Sequence, residues 1–93
     1  MIRSFKDGEA ELVFRRQVSR RLPRAIQQVA LRKLRMLNRA VTVNDLRVPP
    51  ANRLEKLHGY RAGQYSIRIN DQWRICFVWR EGDAHHVEIV GYH

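Results

Sequence analysis

The sequence predicts an α+β fold: a small single domain with two N-terminal helices packed on one face of an antiparallel β-sheet. Three observations carry this prediction. Residues 1–40 contain two segments with apolar residues at helical spacing. From residue 53 onward the apolar residues alternate with period two, as in strands with one buried face. Turn signals at Asn70-Asp71 and Glu81-Gly82-Asp83 divide that second half into short strands. Helices first and a strand meander afterwards are the pattern of helices laid on one sheet face.

The elements follow in order. Residues 1–5 are short and apolar and are expected to form a strand. Asp7 is placed to cap a first helix, whose apolar positions are Ala10, Val13, Phe14 and Val18. Pro23 suits the first turn of a second helix. Its apolar stripe is Ile26, Val29, Ala30, Leu34 and Leu37, and its other face carries Arg24, Arg32, Lys33, Arg35 and Arg39. Residues 42–50 read as irregular, because Asn44-Asp45 favours a turn and Pro49-Pro50 stops a helix. Strands are expected over residues 53–57, 65–69, 73–79 and 86–92.

Strand parity separates two sheet faces. If Ile67, Ile69, Ile75, Phe77, Val87 and Ile89 face the helices, Arg68, Arg74 and Tyr92 point the other way, beside Cys76 and Val90. That second face is a candidate platform for phosphate and bases. Its alternative is an ordinary exposed surface, with the arginines in solvent or paired with Glu88.

Composition narrows the function. With 93 residues, 44% of them hydrophobic, the chain fits one domain over residues 1–93 with a small core. A single cysteine, Cys76, allows no internal disulfide and no cysteine-based zinc site. The opening residues lack an apolar signal core, and no stretch approaches the ~18 apolar residues of a membrane span. A cytoplasmic protein without membrane contact is expected. Eighteen Lys and Arg against nine Asp and Glu give a net charge of +9, which points to a polyanionic partner. Only Lys6, Lys33 and Lys56 are lysines; the rest are arginines, which grip phosphate with a planar fork. The charge alone does not separate RNA from DNA, or either from a merely solvated surface.

The motifs exclude several chemistries. There is no Walker loop, GxGxxG or GxSxG sequence. Adjacent His85 and His86 are expected on opposite strand faces, a poor chelate, so no metal is predicted. What remains is metal-free chemistry on a phosphodiester, with the 2′-hydroxyl of RNA as nucleophile. It needs a base, cations for the charge on the phosphorane, and an acid for the leaving 5′-oxygen. Candidate proton handlers are His58, His85, His86, His93, Tyr60, Tyr65 and Tyr92. Candidate charge stabilisers are Arg61, Arg68 and Arg74.

Three patterns then converge: Leu57-x-Gly59-x-Arg61-x-Gly63-x-x-Ser66-Ile67, Asn70-x-x-Trp73-Arg74-Ile75, and a terminal Tyr92-His93. Together with Asn52 to Lys56 and the opening Met1-Ile2-Arg3-Ser4-Phe5, they resemble the HigB-type toxins of the RelE/ParE toxin–antitoxin superfamily over essentially the whole chain. The resemblance implies helices against an antiparallel sheet. It implies an endoribonuclease that cleaves mRNA in the ribosomal A site, inhibits translation, and needs no metal or cofactor. Implied partners are the ribosome and mRNA, a helix-turn-helix antitoxin, and operator DNA only through the antitoxin complex.

Carried over by position, Arg74 is expected to hold the scissile phosphate. Tyr92 and His93 are expected to position or protonate groups at the scissile bond. His58 stands where many relatives have lysine and is expected in a cationic or proton-transfer role. Arg61, Arg68, Lys56 and Arg53 are expected to contact RNA, although a structural ion pair is an equal reading for Arg61. Two positions depart from the pattern: Gly91 replaces an aspartate common before the terminal pair, and Glu55 replaces a histidine found in some relatives. If those groups are essential, the toxin is attenuated, or His58 or the terminal carboxylate substitutes. ParE-type relatives share the fold but bind DNA gyrase, and a non-catalytic nucleic-acid-binding protein is the third reading.

Overall fold

The computed structural model describes residues 1–91. Two helices, α1 (Gly8–Phe14) and α2 (Arg24–Arg39), precede four strands: β1 (Glu55–Lys56), β2 (Gln64–Arg68), β3 (Trp73–Arg80) and β4 (Asp83–Gly91). The sheet order is β1-β2-β3-β4, each neighbouring pair antiparallel. The α+β class and the helices-on-one-face arrangement are as the sequence predicts.

Residues 1–5 form no full strand. They make two isolated parallel bridges along β4, Ile2 to Ala84 and Phe5 to Val87. Four backbone hydrogen bonds of 2.8–3.1 Å hold them there and cover that sheet edge. At its start the Met1 ammonium and the Arg3 guanidinium meet Asp83, at 3.2 and 3.0 Å. The hydrogen bonds from Arg3 and the amino terminus hold the Asp83 carboxyl below its ordinary value. A lowered folded-state value contributes stability above the ordinary carboxylate range, lost as pH falls through the folded value. Asp83→Asn is therefore expected to lower the melting temperature near pH ~6, with the gap to wild type closing by pH ~2.5. Thermal melts at both pH values check this; an unchanged gap contradicts it.

Asp7 caps α1 as expected, its carboxylate accepting from the amide of Ala10 at 2.8 Å. The helix is shorter than predicted. Arg16 adopts φ 64°, which ends the helical path, and Val18 lies beyond it, 54% exposed, rather than on the apolar stripe. Pro23 sits at the N-cap of α2, one position before the first turn. Ile26, Ala30, Leu34 and Leu37 are buried as predicted. Lys33 is not on the basic outer face. It lies three residues after Ala30 and four before Leu37, so helical geometry turns it inward, and it is 5% exposed.

Residues 42–50 are not featureless. They hold a 3-10 turn at Val43–Arg47, and a second follows at Pro50–Asn52. The strand expected over residues 53–57 shrinks to Glu55–Lys56, because Arg53 is left-handed at φ 44° and leaves extended geometry only after it. β4 starts at Asp83, earlier than predicted. Glu81 and Gly82 both take positive φ, the requirement of a tight two-residue hairpin turn. His86, at φ 53°, is an extra residue: His86 and Val87 together stand opposite Phe77. The bulge changes parity along β4, so Ala84, Val87 and Ile89 all enter the core.

Ile67, Ile75, Phe77 and Val87 are fully buried against Leu34 and Leu37, with Ile69 and Ile89 at the core margin. Phe77 anchors this side, 6.1 Å from the Tyr65 ring and 6.4 Å from Trp79. Tyr65, a candidate proton handler by sequence, thus belongs to the core face. Among the described residues no helix is long and apolar enough to cross a membrane.

Candidate active site

Cross-strand register defines the face turned away from the helices. Arg68 stands opposite Arg74, Ser66 opposite both Glu55 and Cys76, Cys76 opposite Glu88, and Arg74 opposite Val90. Directly opposed residues share a face. Arg68, Arg74, Cys76 and Val90 therefore lie together as parity predicts, joined by Ser66, Glu55 and Glu88.

Arg74 is the centre of one end of this face. It is 8% exposed, and three segments hold its guanidinium. Nε donates to Ser66 Oγ at 2.8 Å, Nη2 donates to the Arg53 carbonyl at 2.7 Å, and Nη1 lies 3.8 Å from Glu55 Oε1. The side chain thus runs diagonally over β2 towards β1. It borders an open pocket of about 260 Å³, lined by Arg53, Glu55, Arg68, Asn70, Asp71 and Arg74. Arg68 is turned towards Asp71 by an ion pair. Asn70 holds the β2–β3 turn, accepting from the amides of Gln72 and Trp73. Arginines from three chain segments and Glu55 therefore line one opening. Such an arrangement can bind an anion through the arginines and offers Glu55 as an oxygen base beside it, the second carboxylate, Asp71, being paired with Arg68.

The remaining predicted residues are elsewhere. Arg61 reaches over the middle of the face to Glu88 Oε2 at 3.3 Å and Gln64 Oε1 at 3.2 Å. Glu88 also meets Lys6 at 3.3 Å. Burial opposes the Arg61 charge, but the hydrogen bond and charge of Glu88 outweigh it and raise the Arg61 pKa. The ion-pair reading of Arg61 thus has its partner. Lys56 stands opposite Tyr65, so it lies on the other side of β1 from Glu55. His58 is exposed in the β1–β2 connection, three residues past Glu55, about 10 Å along an extended chain. Tyr60 follows it, 97% exposed. His85 opposes Val78 on the Arg74 face, at the far end, while His86 is exposed at the bulge. Tyr92 and His93 lie outside the described residues; β4 runs to Val90 and Gly91, opposite Arg74 and Trp73.

Sequence reasoning read Ser66 and Asn70 only as motif and turn positions, not as site residues, and noted Glu55 only as a departure. Ser66 had a usable signal, two residues from Arg68 on the same face. Glu55 had none, because nothing in its own segment sets the register of so short a strand.

A larger concavity, about 770 Å³, lies over the helices and is bordered by Arg32, Arg35 and Arg39 beside Phe14 and Leu31. It offers cations and apolar surface but no group that accepts a proton. The smaller pocket is the one that combines arginines with carboxylates.

The family model described as the RelE-like toxin of type II toxin–antitoxin system HigB matches residues 3–93. Toxin HigB-1 of Vibrio cholerae is 41% identical over 85 residues, 90% of each chain. Endoribonuclease HigB of Proteus vulgaris is 30% identical over 93 residues, the whole of both chains. A chain of the YoeB–YefM complex from Staphylococcus aureus superposes with a TM-score of 0.62 at 17% identity, covering 100% of this chain and 98% of that one; this likeness concerns the fold. On a match that runs from residue 3 to residue 93, the chain belongs to the HigB-like family of RelE-like toxins of type II toxin–antitoxin systems.

Proposed function

We propose that this toxin is a ribosome-dependent endoribonuclease that cleaves mRNA in the A site by attack of the 2′-hydroxyl on the adjacent phosphate. The observation that carries the reading is the Arg74 guanidinium, fixed by Ser66, the Arg53 carbonyl and Glu55 at the mouth of the pocket. Endoribonuclease HigB of Proteus vulgaris, similar over its full length, supports it.

In the proposed reaction Arg74 binds the non-bridging phosphate oxygens and stabilises the charge that builds on the phosphorane. Arg68 and Arg53 add to the local positive field. Glu55 accepts the proton of the 2′-hydroxyl as the new oxygen–phosphorus bond forms. The bond to the 5′-oxygen breaks, and that oxygen takes up a proton. The products are a 2′,3′-cyclic phosphate and a 5′-hydroxyl. The resemblance implies that the Tyr92-His93 pair positions or protonates groups at this step. His58, exposed in the β1–β2 connection, does not line the pocket and fits an RNA contact better, as do Lys56 and Arg61.

Ribosome dependence follows from how little the site supplies. Two carboxylates, one of them paired with Arg68, and an arginine cluster on an open face do not orient a flexible RNA. A ribosome-bound mRNA arrives with its conformation fixed, so the same groups suffice. The test is cleavage of a short mRNA by the purified toxin, with and without programmed ribosomes and with chelator present. Cleavage only on ribosomes, unaffected by chelator, is expected. Intact mRNA with a toxin that still stops growth would redirect attention to gyrase.

The partner is an antitoxin with an acidic contact segment. Arg32, Arg35 and Arg39 on the outer face of α2 make no ion pair among the described residues, and the net charge is +9. Affinity for the antitoxin is expected to fall at least tenfold between about 0.05 and 0.5 M NaCl. Calorimetric titration measures this, and a salt-independent Kd would count against an electrostatic contact.

A further inference from the structure

Lys33 is placed against its chemistry. It sits on the buried stripe of α2, 5% exposed, and makes no ion pair among the described residues. Its ammonium donates to Oδ1 of Asn52, which is fully buried. The amide nitrogen of Asn52 in turn donates to the Leu46 carbonyl at 3.1 Å and lies 3.5 Å from the Val48 carbonyl. The same nitrogen lies 3.1 Å from Met36 Sδ, so both ends of the Asn52 side chain are in use, the oxygen on α2 and the nitrogen on α2 and the 3-10 segment at Val43–Arg47.

The next residue is Arg53. Its backbone is left-handed, φ 44° and ψ 57°, a conformation that a side chain with a Cβ rarely adopts and that the surroundings must hold. In that conformation its carbonyl accepts from Arg74 Nη2 at 2.7 Å. A continuous series of contacts thus runs from the interior of α2 to the site: Lys33, Asn52, the Arg53 carbonyl, Arg74.

Stability alone gives no reason for a cation here. An ammonium buried against a neutral amide loses its hydration without gaining a carboxylate, and an apolar side chain of similar length fills the same volume at lower cost. Burial, with the neighbouring Arg32 charge, holds the Lys33 pKa below the usual lysine value. A donor at this point does what methionine does not: it fixes Asn52 Oδ1, and with it the strained residue that follows.

We propose that Lys33 and Asn52 are positioning residues, a buried clamp that sets the Arg53 carbonyl and through it the orientation of the Arg74 guanidinium. The kinetic consequence rests on the ribonuclease reading; the structural consequence does not.

The test compares Lys33→Met with wild type in two readouts. The first is single-turnover cleavage on programmed ribosomes beside the thermal melt. The second is the Arg74 Nε–H resonance of the free toxin, with its hydrogen-exchange rate. The expected result is a melting temperature equal to or above wild type and a maximal rate at least ~10-fold lower, with little change in the half-saturating concentration, since a misplacement near 1 Å suffices for such a loss. The Nε–H signal is expected to shift and exchange faster. A rate and an Nε–H signal both at wild-type values would overturn the clamp. So would a loss of rate that accompanies an equal loss of stability and an unmoved Nε–H signal, which marks a merely structural lysine. If Lys33→Met does not fold, Asn52→Asp takes its place: it keeps the oxygen facing Lys33 and removes the donor to Leu46, and the same shift or its absence decides. If wild type cleaves nothing, the ribonuclease reading fails, and the Nε–H comparison still decides the clamp.

Discussion

Arg74→Ala is expected to lower ribosome-bound mRNA cleavage by ~10³-fold or more while the protein still folds. Loss of a single preorganised donor to a developing oxyanion typically costs 10²–10³ in rate, and Arg74 combines charge with several donors. The loss should fall on the chemical step, so the rate at saturating ribosome drops far more than affinity. Arg74→Lys should recover little. A lysine ammonium keeps the charge but has no planar fork to meet Ser66, the Arg53 carbonyl and a phosphate together. Folding is checked by the melt, because Arg74 is 8% exposed and its removal frees Ser66 and the Arg53 carbonyl. A folded, fully active Arg74→Ala protein would remove the site assignment.

Glu55→Gln carries the second largest expected effect, a rate at saturation lower by at least ~10²-fold, within the ~10²–10⁴-fold usual for a lost general base. Binding should change in the other direction. Glu55 lies 3.8 Å from Arg74 in a pocket lined by three arginines, so neutralising it is expected to favour phosphate. Slower chemistry with equal or tighter ribosome binding is a signature that a structural defect does not produce. Single-turnover rates across a range of ribosome concentrations separate the two. Unchanged chemistry would return the base to His58 or to the terminal residues.

The difference between what strand parity found and what it did not is physical. Arg68 and Arg74 fell on the right face because alternation within a strand needs no knowledge of its partner. Glu55 and Arg53 reach the site only through long-range pairing of a two-residue strand, entered through a left-handed residue, and no local propensity encodes that. Lys33 was misassigned because it was sorted by charge, whereas its angle on α2 puts it among Ala30, Leu34 and Leu37. The core on the helix side was legible almost entirely, since Ile67, Ile75, Phe77 and Val87 follow the simple alternation. The exception is Ala84, brought inward by the bulge at His86, a positive-φ position that histidine does not announce.

In the proposed reaction RNA supplies its own nucleophile next to Arg74. The most direct test is an mRNA on programmed ribosomes with one 2′-deoxy nucleotide immediately 5′ of the scissile phosphate. The all-ribose mRNA is expected to yield a 2′,3′-cyclic phosphate, and the single deoxy substitution is expected to stop cleavage at that position. Cleavage of the deoxy-substituted mRNA at an undiminished rate, or a product without the cyclic phosphate, would contradict it.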